Sequence, residues 1–103
     1  MLATPLTTAI KLLLKFQPRV VVVADKKVLS VGETFTALCE ATAFPRTVEY
    51  SWYLDNNLLA EERTEKITIP GVKQDHDKKV LECRASNTEG TGAGSVAIHI
   101  KCR

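Results

Sequence analysis

Three cysteines, two histidines and a close pair of aspartates are the residues of this 103-residue chain whose side chains raise a chemical question. A thiol hydrolase needs a cysteine sulfur within reach of a histidine. Cys102 lies three residues from His99, and residues three apart on a strand face opposite sides. Cys39 and Cys83 occupy the apolar side of alternating stretches, which commits them to the core rather than to a histidine partner. Zinc needs closely spaced ligand pairs, and the spacing offers none. Asp75, His76 and Asp77 could hold a cation loosely, but the run reads more simply as a solvated acidic turn. Gly90, Gly92 and Gly94 suit a hairpin, not a phosphate cradle. There is no Asn-X-Ser/Thr acceptor for a glycan. The expectation is a chain that is not an enzyme, with no catalytic residues, no metal and no cofactor.

The composition narrows the partners. A net charge of +2 with acids and bases interspersed gives no basic stripe, so nucleic acid is not an expected ligand. The longest apolar runs, residues 12–14 and 20–24, fall far short of the roughly 20 residues that span a bilayer. Residues 10–16 place lysines inside what would be the apolar core of a signal peptide. The chain length suits one domain.

The elements that must position these side chains are strands. Residues 35–41, 48–54 and 81–85 alternate apolar and polar, which sets Cys39, Trp52 and Cys83 on the buried face of three strands. Further strands are expected at residues 20–23, at 28–31 along an edge, briefly at 58–60, at 64–69 with Ile67 and Ile69 inward, and from Gly92 to Lys101. Asp55-Asn56-Asn57 and Asn87-Thr88-Glu89-Gly90 are turn signals. Phe44-Pro45 is expected trans by default, although an aromatic before proline favours cis. About seven short strands and no helical period describe an all-β, two-sheet antiparallel sandwich.

A cysteine, a tryptophan thirteen residues later and a second cysteine at position 83 have the spacing of an immunoglobulin domain. The chain resembles that superfamily over nearly all its length. Ile69 follows Trp52 by only seventeen positions, which leaves no room for the extra hairpin of a variable-type domain, so the compact I-set or C2-like type fits. Asp77, six residues before Cys83, and the run Ala85-Ser86-Asn87 with Gly90 match the family pattern. Two positions depart from it: Lys79 replaces a small residue, and Leu81 stands where the family carries a corner tyrosine. Leu81 fills the core but cannot make the tyrosine's hydrogen bond. The run from Pro70-Gly71-Val72 to Asp75-His76-Asp77 looks most like tandem domains of nephrin-type cell-adhesion receptors.

The resemblance implies a Cys39–Cys83 disulfide beside a core of Trp52 and Leu81. Such a bridge closes a loop of about 44 residues, on the order of 4 kcal/mol in the chain-entropy description, and belongs to an oxidising compartment. The alternative is a reduced, buried pair in an intracellular repeat of a muscle-filament-type protein. Cys102 is either an apolar plug at the domain end or an intermolecular bridge. The implied function is a protein-binding or spacing module of a cell-surface adhesion receptor, on the extracellular side of the plasma membrane within a longer protein. Its partners would be neighbouring immunoglobulin domains or a receptor. The outward residues of the expected face are Glu49, Ser51 and Tyr53 on one strand, Glu82, Arg84 and Ser86 on the next, and His99 and Lys101 on the last.

Residues 8–17 repeat the apolar spacing of residues 94–103: Ile10 matches Val96, Leu12 matches Ile98, Leu14 matches Ile100, and Lys15 matches Lys101. Residues 1–17 are therefore expected to be the last strand of a preceding immunoglobulin domain or a disordered arm, with residues 18–103 as the domain itself.

Overall fold

The computed structural model describes residues 15–101. Seven strands follow one another: β1 (Phe16–Ala24), β2 (Phe35–Phe44), β3 (Glu49–Leu54), β4 (Asn57–Leu58), β5 (Lys66–Ile69), β6 (Val80–Asn87) and β7 (Gly90–Ala97). They form two antiparallel sheets, ordered β1-β2-β5 and β4-β3-β6-β7. A single 3₁₀ turn, Gln74–His76, precedes β6. The expected sandwich is thus the observed one.

Alternation is what builds the core. Cys39, Trp52, Leu81 and Cys83 are all buried, with Leu29, Phe35, Ile67, Val72, Ile98 and Ile100 around them. Trp52 pairs with Cys83 across the β3–β6 ladder. Cys83 is bridged to Cys39 on the opposing sheet, with 6.2 Å between their Cα atoms. The fully buried indole keeps its N–H satisfied by donating to the Thr64 carbonyl at 2.8 Å, as a buried tryptophan must.

Leu81 occupies the corner position and is fully buried. The turn before β6 is anchored by other bonds. Asp77 Oδ1 accepts the Ile100 amide at 2.8 Å, Lys78 N–H donates to the Ile98 carbonyl at 2.7 Å, and Ile98 N–H donates to the Lys79 carbonyl at 2.9 Å.

Several local expectations change. β1 starts at Phe16, which pairs with Phe44, so Phe16 and Gln17 belong to this sandwich; the rest of the expected leading strand lies outside the described residues, as does Cys102. Residues 28–31 form no strand, because only Leu29 meets a neighbour, in a parallel bridge to Ile100. The last strand ends at Ala97 rather than Lys101. The Phe44-Pro45 peptide is cis.

The glycines of β7 serve more than a turn. Gly92 and Gly94 lie within the strand, and a Cβ on them would sit 1.9 Å from the Pro18 carbonyl oxygen and 2.7 Å from that of Val20. The backbone of β1 therefore lies directly on the inner side of β7. Only a residue without a side chain permits that approach, and it closes one long side of the sandwich.

Candidate partner-binding face

The outer side of the β3-β6-β7 sheet collects six of the eight residues expected to meet a partner. Glu49 is opposite Ser86, Ser51 opposite Arg84, and Tyr53 opposite Glu82. Because side chains alternate along a strand, these six share one face as two rows of three. The position of each residue follows from the same period that turns Tyr50, Trp52, Cys83 and Ala85 toward the other side.

Within this grid the charges are organised around one arginine. The Arg84 guanidinium lies over the Tyr53 ring at 3.9 Å from its centroid. Its Nε and Nη2 each reach Glu82 Oε1 at 3.1 Å. The ring holds the flat face of the cation and the carboxylate holds its edge, a pairing that suits guanidinium geometry. The Arg84 side chain is still 40% exposed, so its remaining donors face outward. Glu49 stands exposed at the loop end of the same face.

β7 supplies a third row that the sequence reading missed. Thr91, Ala93 and Ser95 lie opposite Ser86, Arg84 and Glu82. Ser86 and Thr91 hydroxyls are 2.7 Å apart. Interleaved glycines hid the alternation that would have found this row. Ala93 beside Arg84 leaves the guanidinium uncovered on that flank.

His99 and Lys101 are exposed and continue the outward parity beyond Ala97, where β7 ends. Both follow the end of β7, where their backbones bracket Leu29: Leu29 N–H donates to the His99 carbonyl at 2.9 Å, and Lys101 N–H donates to the Leu29 carbonyl at 2.7 Å. The acidic turn has no shared focus. His76 Nδ1 accepts the Lys73 amide at 2.8 Å, while Asp77 is committed to Ile100. Among the described residues no group of three histidine, cysteine, aspartate or glutamate side chains converges on a metal-sized gap. Chemically, the face can dock a surface and hold it by stacking and ion pairing.

The residues at the loop end fix how the chain reaches this sheet. Asn87 Nδ2 donates to the Phe16 carbonyl at 2.9 Å and the Pro45 carbonyl at 3.1 Å, and its Oδ1 accepts the Glu89 amide at 2.9 Å. One side chain ties β1, the β2–β3 loop and the β6–β7 turn together.

The sequence pattern described as immunoglobulin domain matches residues 17–87. The chain belongs to this family. Among curated proteins, it is similar to Kin of IRRE-like protein 2 of Mus musculus, 28% identical over 99 residues, covering 96% of this chain and 14% of that protein. It is also similar to synaptogenesis protein syg-1 of Caenorhabditis elegans, 29% identical over 94 residues, covering 89% of this chain and 13% of that protein. The chain thus spans about one seventh of the length of these relatives. Among solved structures, the ectodomain of mouse nectin-like molecule 4 superposes with a TM-score of 0.70 at 23% identity, covering 86% of this chain and 32% of that one. Titin M4 superposes with a TM-score of 0.69 at 16% identity, covering 85% of this chain and 99% of that one. These two likenesses show the fold. Among the described residues, no helix is long and apolar enough to cross a membrane.

Proposed function

We propose that this immunoglobulin domain is a non-enzymatic protein-binding module of a cell-surface adhesion or recognition receptor, working on the extracellular side as one unit of a tandem array. The observation that carries this reading is the Arg84–Tyr53–Glu82 assembly in the middle of the β3-β6-β7 face. Aromatic and arginine side chains held in one geometry lose little freedom on docking, and they are the residue types that dominate interfaces. The bridged Cys39–Cys83 pair supports an oxidising compartment over a muscle-filament role. The likeness to a synaptogenesis protein supports a role between cells.

Adhesion of coated beads tests the face. Beads carrying the native chain should adhere to each other or to cells, and Arg84→Glu should abolish adhesion while leaving the thermal midpoint within a few degrees. Equal adhesion by Arg84→Glu would remove the face from the binding role. Adhesion by neither would leave the domain as a spacer.

A further inference from the structure

The two long sides of the sandwich end their strand edges differently. On one side β1 lies against the glycines of β7, and the carbonyls of Pro18 and Val20 point into that contact. On the other side, β3 has a partner for only part of its length.

The hydrogen-bond parity of β3 is fixed by two bonds. Asp55 N–H donates to the Val80 carbonyl at 2.8 Å, and the Trp52 carbonyl accepts the Leu59 amide at 2.8 Å. Odd-numbered residues of β3 therefore turn their backbone groups toward β6, and even-numbered ones turn theirs outward. β4 reaches only Tyr53 and Leu54 in register, and Leu59 adds the one bond to Trp52. The chain then leaves the edge. Glu62 N–H donates to the Leu59 carbonyl at 3.0 Å, Arg63 Nε donates to the Ala60 carbonyl at 3.2 Å, and the Thr64 carbonyl takes the Trp52 indole on the way to β5. This departure leaves a cleft of about 500 Å³ beside β3. The Tyr50 N–H and C=O face it and have no protein partner among the described residues.

The walls of the cleft define what fits. Tyr50, Leu59 and Ala60 give it apolar surface, and Glu49, Glu62 and Arg63 are its charged members. Two carboxylates outnumber one cation there, and the Nε bond to the Ala60 carbonyl holds that cation near its own loop. An unpaired strand edge seeks an extended backbone. The residue set opposite Tyr50 shares its inward direction and meets Leu59, while its neighbours point outward beside Glu49 and Ser51.

We propose that this notch takes an extended segment of another protein chain as an added strand next to Tyr50, apolar at the inward position and basic at the outward ones. The notch shares Glu49, Ser51 and Tyr53 with the margin of the Arg84 face, but it binds through the Tyr50 backbone, so loss of Arg84 leaves it intact and N-methylation of the peptide tests it separately.

A blocked peptide Lys-Val-Lys-Val-Lys is the probe, followed by amide NMR on the native chain. Expected are shifts at Tyr50, Ser51 and Leu59 and a several-fold slowing of Tyr50 amide exchange. The same peptide with both valines N-methylated keeps its charge but loses the paired N–H groups. It should bind roughly tenfold more weakly, equivalent to about 1.4 kcal/mol. The double variant Glu49→Lys, Glu62→Lys alters only surface charge and should weaken the unmethylated peptide at least as much. Equal binding of the methylated peptide overturns the proposal, as do shifts confined to Tyr53 and Arg84, or no shifts at millimolar peptide.

Discussion

Asn87 joins three segments through one amide group, and its removal leaves two carbonyls and one N–H without it. Asn87→Ala should lower stability by about 2 kcal/mol in urea titration, since partly buried groups lose their partners. Asn87→Asp should lower it as well, because a carboxylate cannot donate to the Phe16 and Pro45 carbonyls. At the other end, Glu33 accepts the Ser30 amide and the Lys26 ammonium, at 2.7 and 3.2 Å. The Ser30 bond first, and the Lys26 bond second, hold its carboxyl below the usual range. A depressed acid stabilises the fold above its unfolded value and loses that contribution as pH falls through its folded one. Stability should therefore decline through the acid range with a slope that Glu33→Gln reduces, a small effect because the group is exposed. The sequence marked Asn87 as a turn residue and no more. A side chain that bonds a carbonyl 71 positions away leaves no local signal.

Among the elements, β2, β3, β5 and β6 were legible because each alternates cleanly and buries one side. β1 and β7 were read poorly for a shared reason. Their contact depends on what β7 lacks, and missing side chains resemble a flexible hairpin when read in one dimension. Gly92→Ala tests this. Its Cβ would meet the Pro18 carbonyl, part of a backbone that cannot swing aside, so a loss of about 3 kcal/mol is expected by denaturant titration. Gly94→Ala, with a clearance of 2.7 Å, should lose less. The grid on the outer face was found for β3 and β6 by parity alone. His99 and Lys101 keep the outward parity, with Ile98 and Ile100 buried between them, but they lie past the end of β7, where the backbone bonds Leu29.

For the whole molecule, the disulfide and the buried indole are the central cross-connection. Peptide mapping of the unreduced, denatured chain should show Cys39 and Cys83 linked and resistant to alkylation. Reduction should destabilise the fold by about 4 kcal/mol, the loop-closure value for a bridge of this span. Alkylation of both without prior reduction would return weight to the filament reading. The architecture itself was legible as a whole because the Cys-Trp-Cys spacing constrains both sheets at once. The sequence could not indicate which long side stays open, since that depends on where residues 60–64 abandon the edge.

The chain arrives at Phe16, beside Asn87, and departs past Ile100, beyond the opposite end of β6. Tension applied between Phe16 and Ile100 would therefore run lengthwise through the sandwich. The two Leu29 bonds to His99 and Lys101 join segments running in the same direction. Pulling the ends apart loads such bonds side by side, so they must fail together rather than unzip in turn. The short stretch that never became a strand is thereby placed to act as a mechanical latch, lending the domain resistance to force that its equilibrium stability alone does not express.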